Sequence, residues 1–381
     1  MSIVCSKIHS IKINKYFKVG VRFMDIKSRF AEELNKLLFL EVKKENIKKL
    51  FSTEVLEDIY IPVKSLNIID NIKEQKNMEQ IPMSFFIEGM FYVMGADKDF
   101  KFNNEYKKIL SNIEDSIIFV KSKIAKNVKE GKLQEAFILL KGLIQIDDDI
   151  EVYDKAITIA EELRSKDKSF KDEELEIMGS AKLKDNYALP YFYEAIIRRE
   201  EGDYEKALFC INNYISRGGE QTLEITEFKE SLKSIIEYEK AKELLYDEPN
   251  EALKILIPLL DQFADDAAMY YYIAVAYRIL ENHEKAIYYL NEALSIDSDI
   301  IEVVNELGIN YASLNDYEKA IAYFRKAFEV TKSIEICTNI IMCYLNSGDI
   351  KNAKNHLDIA KKLDANDEIV LQLDGIINNI K

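Results

Sequence analysis

Residues 281–287 read Glu-Asn-His-Glu-Lys-Ala-Ile, and 34 positions later residues 315–321 read Asn-Asp-Tyr-Glu-Lys-Ala-Ile. Residues 202–208 give Gly-Asp-Tyr-Glu-Lys-Ala-Leu. The likeness extends outward from each alanine. Ala286 has Ala274 twelve positions before it, Tyr277 nine before it and Ala293 seven after it; Ala320 has Gly308, Tyr311 and Ala327 at the same offsets. A third copy carries Tyr344, Ala353 and Ala360 with one residue fewer in the connection. Ala252 lies 34 before Ala286, and further copies centre on Ala207 and Ala136. A period of this length is the mark of a repeat architecture.

The offsets have a physical reading. Small residues at 0, 12 and 19 let two antiparallel helices approach closely, and aromatic side chains fill the gaps beside them. Five residues before the alanine stand Gly131, Gly202, Asn315 and Gly348, types that tolerate left-handed backbone after a helix. Asp203, Asn282, Asp316 or Asp349 follows, each a favoured N-cap. Glu205, Glu284 and Glu318 come two residues later, where the positive end of the second helix favours an acid.

The pattern resembles the tetratricopeptide repeat, a helix–turn–helix unit. That resemblance implies an all-α fold, a right-handed α-solenoid of such hairpins. It covers about 250 residues and lacks the family's tryptophan and nearly all its closing prolines. Residues 116–366 are expected to hold about seven hairpins, best formed at 188–222 and 267–366, with an insertion of about 11 residues after 222. Residues 367–381 read as a capping helix that shields the last apolar face. Residues 1–115 are expected to be mostly helical. Tyr16, Gly20 and Phe23 suggest a degenerate copy over 14–41, residues 42–80 suggest short helices and loops, and 82–95 and 104–130 suggest long helices.

Composition agrees. The 381 residues contain 12 Gly and 5 Pro, where average usage gives roughly 27 and 19. The shortage disfavours turn-rich β folds and disordered classes. A net charge of −15 argues against nucleic-acid binding. The charge is uneven: residues 1–50 hold 12 basic and 5 acidic side chains, and residues 151–381 hold 27 and 45. Cys5, Cys210, Cys337 and Cys343 form no CxxC pair, so reduced thiols in a cytoplasmic protein are the simplest expectation. No stretch is apolar over the roughly 18 residues a membrane span needs. The richness in Ile, Lys and Asn points to a bacterial source.

Catalysis has no support in the residues. His9, His283 and His356 are dispersed, no metal or nucleophile spacing is present, and there is no phosphate-binding glycine loop. No cofactor is expected, and an active site within 1–115 is the weakest option. Function is expected on the inner face, which the first helices of stacked hairpins line. Positions three before, one after and four after the first small residue should point inward. They are Phe192, Ile196 and Arg199; Tyr271, Val275 and Arg278; Asn305, Ile309 and Ala312; and Thr338, Met342 and Leu345, with Asn339 and Asn346 close by. Asparagine can hold a peptide backbone, and arginine can fork onto a partner's carboxylate. The Lys/Asn carboxylate clamp of many tetratricopeptide cochaperones is not evident, since Phe192 and Tyr271 take comparable faces. The leading expectation is a scaffold or adaptor that binds a peptide or helix of a partner protein, with self-association possible. The alternative is a regulator or receptor for peptide signals, with the basic N-terminal region as effector.

Overall fold

A computed structural model describes residues 30, 32–67 and 81–379. The copy expected at 14–41 falls mostly outside them, as do Cys5, His9 and most of the basic N-terminal segment. The chain forms two compact units, Met1–Ile197 with Cys210–Glu220, and Arg198–Phe209 with Gln221–Lys381.

The first unit opens with strand β1 (Leu37–Val42), helix α1 (Lys44–Phe51) and strand β2 (Ile59–Lys64). The strands pair antiparallel, Leu37 opposite Lys64 and Phe39 opposite Pro62. Short helices and loops were expected here. The sheet forms because Ile59, Ile61 and Val63 alternate onto one buried face, all at 0% exposure. Pro62 is tolerated because each strand of a pair has an unpaired edge.

Helix α2 (Met83–Ala96) packs on β2 and later on α5. The stretch expected as one helix over 104–130 is two, α3 (Asn103–Asn112) and α4 (Ser116–Lys129). The Ser116 hydroxyl donates to the Leu110 carbonyl at 2.7 Å and so fixes the break. Helices α5 (Leu133–Ile144), α6 (Ile150–Lys166) and α7 (Lys171–Ala181) follow. The α2–α5 crossing is set by glycine. A Cβ on Gly95 would lie 1.7 Å from the Ile138 carbonyl oxygen, and one on Gly142 would lie 2.0 Å from that of Phe91. Charges buried in this unit are paired. Glu88 meets Lys64 at 3.0 Å and Lys123 at 3.1 Å, and Arg164 Nε donates to Glu174 at 2.8 Å. The chain passes between the units within α8 (Leu189–Glu200) and α9 (Tyr204–Ser216).

The second unit is a helical solenoid. Its helices are α10 (Leu223–Leu244), α11 (Pro249–Leu259), α12 (Ala267–Ile279), α13 (His283–Ile296), α14 (Ile301–Ser313), α15 (Tyr317–Thr331), α16 (Ile334–Asn346), α17 (Ile350–Leu363) and α18 (Glu368–Asn379). The insertion after 222 is taken up by α10, which runs 22 residues against 13 for α12. Helices pair in order, α10 with α11, α12 with α13, α14 with α15 and α16 with α17.

The seam residues behave as their size requires. Ala274, Ala286 and Ala293 are at most 1% exposed, and Ala320, Ala327, Ala353 and Ala360 are fully buried. Tyr277 stacks on Tyr289 at 5.6 Å and Tyr311 on Tyr323 at 5.6 Å, with Lys285 4.9 Å over the Tyr277 ring and Lys319 4.9 Å over the Tyr311 ring. Asn282, Asp316 and Asp349 accept from the backbone amides of Lys285, Lys319 and Asn352. The residue before each cap is left-handed: Asn315 at φ 61° and Gly348 at φ 80°. Glu281 takes the same conformation at φ 58° without the side chain for it.

Candidate partner-binding groove

Of the expected groove residues, Phe192 and Ile196 lie in the first unit and the others, from Arg199 to Asn346, lie in the second. Phe192 is half-buried between the rings of Tyr193 and Tyr214, at 5.4 and 5.5 Å, so it packs within its own unit. Arg199 is exposed, with its guanidinium 5.4 Å from the Phe228 ring.

Helices α12 and α14 supply a polar cluster. Arg278 Nε donates to Glu306 Oε2 at 2.7 Å. Glu306 is 7% exposed, and burial raises its carboxyl pKa against the lowering effect of Arg278. Tyr271 is half-buried beside it, its phenol pushed up to about 12 by burial and then by Glu306. A partner's carboxylate was the expected counterion of Arg278; the chain supplies its own. Glu306 went unseen because it sits two residues before Gly308, off the inward offsets. Asn305 is half-buried with Oδ1 unpartnered, the one such buried side-chain atom among the described residues of this unit. Beneath it, fully buried Asn310 contacts His283 Nδ1 at 3.0 Å and donates to the Glu306 carbonyl at 2.8 Å.

Toward the end of the repeat array the positions expected to point inward turn apolar. The position one after the small residue is Val275 on α12, Ile309 on α14 and Met342 on α16. On α18 the equivalent is Ile376, which follows Gly375. Val275 is buried at 1%, Ile309 is half-buried, and Met342 and Ile376 are exposed at 43% and 51%. Asn339 is half-buried beside this row, whereas Thr338 is buried at 3% and closed off. Ile376 was missed because the offset rule was not carried onto the last helix. In the first unit, a cavity of about 460 Å³ between α4, α5 and α6 is lined by Ile124, Ala125, Val128, Leu140, Leu143 and Ile159. Lys121, Ala125 and Val128 hold the same inward offsets about Ile124, so the rule locates this cavity once applied to the early copy.

Among the described residues no three His, Cys, Asp or Glu side chains are placed to hold a metal ion. No described helix is long and apolar enough to cross a membrane. Cys337 and Cys343 are buried, their thiols pushed up to about 11 by burial, which keeps them protonated and unreactive.

Stacked, capped helix pairs with a small-residue seam define an α-helical repeat protein. Residues 265–333 match the family profile described as tetratricopeptide repeat, so this part of the chain is built of tetratricopeptide repeats. Among solved structures it is similar to YrrB, described as a TPR protein with an unusual peptide-binding site. That match has 17% identity over 53% of this chain and 99% of that one, with a TM-score of 0.38. It is also similar to MamA, at 18% identity over 46% of this chain and 90% of that one, TM-score 0.34. A third is a thermophilic TPR protein of Thermus thermophilus, at 18% identity over 50% of this chain and 97% of that one, TM-score 0.30. No curated protein matches the chain.

Proposed function

We propose that the chain is a non-catalytic scaffold or adaptor that binds an apolar segment of a partner protein along the inner faces of α14, α16 and α18. The observation that carries this reading is the row Ile309, Met342, Ile376, spaced by the repeat and increasingly exposed toward the C-terminal end. A lone exposed apolar side chain needs no explanation, but a periodic row of them does. Helices packed side by side lie about 8–10 Å apart, and in a segment extended as polyproline II every third residue returns to the same face at about 9 Å. An extended peptide can therefore set successive apolar side chains against successive row members. Asn339 and Asn305 flank the row with groups that pair with a peptide backbone. The net charge of −15 disfavours nucleic acid as the partner. The free thiols of Cys337 and Cys343 suit a reducing compartment such as the cytoplasm.

The test is selection of peptides from a random display library on the full chain, followed by anisotropy titration. Selected peptides bind wild type and lose at least about tenfold in affinity on Met342→Glu, a change of about 1.4 kcal/mol. They keep their affinity on Val330→Glu, a 66% exposed position on α15. Equal affinity for wild type and Met342→Glu would remove the groove assignment.

A further inference from the structure

The copy centred on Ala136 departs from the best-formed copies at one place. Nine positions before the seam alanine those copies carry Tyr277, Tyr311 and Tyr344. Each ring packs on the residue three after the alanine: Tyr289 and Tyr323 at 5.6 Å, and His356 at 5.2 Å. About Ala136 the same two positions hold Asn127 and Leu139, and Glu135 replaces Lys285 and Lys319 just before the alanine. The backbone is unchanged. The Lys132 amide donates to the Asn127 carbonyl at 2.8 Å, as the Asn282 amide does to Tyr277 at 2.8 Å and the Asp316 amide to Tyr311 at 2.9 Å. The helix end is kept, and the aromatic pair is gone.

Beside Asn127 lies a polar cavity of about 310 Å³, bounded by β2, α2, α4 and the start of α5. That is the lower end of the range for small-molecule sites. Asn127 is 2% exposed, and its side-chain nitrogen has no partner. A buried donor left unmatched weakens the fold. Glu88, also 2% exposed, lines the same cavity. Lys123 lies 3.1 Å from its Oε2, and Asn67 donates to Oε2 at 3.2 Å. Lys64 lies 3.0 Å from Oε1 but out of line for a hydrogen bond, so Oε1 can still accept one. Burial pushes the Glu88 carboxyl up; Lys64 and Lys123 outweigh burial and hold it below its ordinary value, so it is ionised. Among the described residues the cavity is lined by five lysines and four glutamates, a surplus of one positive charge. The surplus falls on Lys126, because Glu130 takes Lys132 at 2.7 Å and leaves Lys126 at 3.8 Å.

We propose that this cavity binds a small monoanion that carries hydroxyl groups, a hydroxycarboxylate. Its carboxylate accepts from the Asn127 amide and pairs with the Lys126 ammonium. A hydroxyl donates to Glu88 Oε1. The donor is a hydroxyl and not a second ammonium, because two lysines already flank Glu88. Hydroxyls both donate and accept, which suits a wall that alternates lysine with glutamate. One negative charge matches the surplus of one. The site stands in the first unit and is independent of the proposed groove, which would take a partner's apolar segment.

Isothermal titration calorimetry of the full chain tests this, with gluconate and the shorter glycerate as probes. Hexanoate serves as a carboxylate without hydroxyls, sorbitol as hydroxyls without charge, and inorganic phosphate as a bare anion. At least one hydroxy acid should saturate at one molecule per chain, with hexanoate, sorbitol and phosphate at least about tenfold weaker. Lys126→Glu should weaken the hydroxy acid by at least about tenfold; its side chain is 65% exposed, so the fold is kept. Asn127→Tyr restores the aromatic of the other copies and fills the cavity. It should abolish binding while the thermal midpoint stays level or rises, an outcome that a purely structural asparagine would not give. If Asn127→Tyr does not fold, Lys126→Glu decides. No saturable heat from either acid up to about 10 mM overturns the proposal. So does equal affinity for hexanoate, sorbitol or phosphate, and so does unchanged affinity in Lys126→Glu.

Discussion

Replacing Arg278 by alanine removes the partner of a buried carboxylate, and the structure sets both the size and the pH dependence of the loss. Glu306 is 7% exposed and accepts from Arg278 Nε at 2.7 Å. Removing one member of a fully buried pair costs about 3–5 kcal/mol. The Arg278 side chain keeps 26% of its exposure, so water and screening reduce the effect. We expect about 2 kcal/mol at neutral pH. The Glu306 pKa is raised already with Arg278 in place, by burial, and Arg278 is the group that lowers it. A raised carboxyl contributes stability that is complete below its unfolded pKa and lost as pH rises through its folded pKa. Removing Arg278 raises the folded pKa further, so the variant loses more on going from acid to neutral. Guanidinium unfolding of wild type, Arg278→Ala, Glu306→Gln and the double variant at about pH 4.5 and 7.5 measures this. The cost of Arg278→Ala should be small at the acid pH and full at the neutral one, with a coupling to Glu306→Gln of at least about 1 kcal/mol. An equal cost at both pH values, or zero coupling, would refute the reasoning.

Three further outcomes follow from the backbone and the buried charges. Glu281 is held at φ 58°, where other copies place Gly131, Gly202 or Gly348, so Glu281→Gly should raise stability by up to about 1 kcal/mol in chemical denaturation. Gly142→Ala drives a methyl into the Phe91 carbonyl, 2.0 Å away, and should cost about 1–3 kcal/mol or more, seen as a lowered thermal midpoint. Glu174 is fully buried with Oε1 unpartnered, and burial and Glu161 push its carboxyl up to about 8. Its neutral form stabilises the fold below the ordinary glutamate range, and that contribution is lost as pH rises through about 8. Wild type should therefore lose stability relative to Glu174→Gln between about pH 5 and 9; parallel stability curves would contradict this.

The second unit was legible because its constraints are local and repeated. Cap, left-handed turn and small-residue seam recur in one register, and each side chain found the environment that its size or charge demands. Glu281 shows the register overriding the residue: position, not composition, decides its backbone. The first unit was less legible. The alternation of Ile59, Ile61 and Val63 is a strand signal, but it spans few residues and Pro62 interrupts it. The glycines at 95 and 142 cannot be matched by spacing, since their contact joins helices far apart in sequence. For the proposed groove, the offset rule names Ile309 and Met342. It missed Glu306, whose role arises from burial between neighbouring repeats, and Ile376, which required carrying the repeat onto its last helix.

Methionine-methyl NMR tests the groove most directly. Met342, on α16 in the proposed groove, is 43% exposed, and Met83, at the start of α2 in the first unit, is 37% exposed and serves as the matched control. With ¹³C-methyl methionine and a peptide selected on the full chain, the Met342 signal should shift in proportion to occupancy while that of Met83 stays in place. A Met342 signal that does not move at saturating peptide would contradict the account.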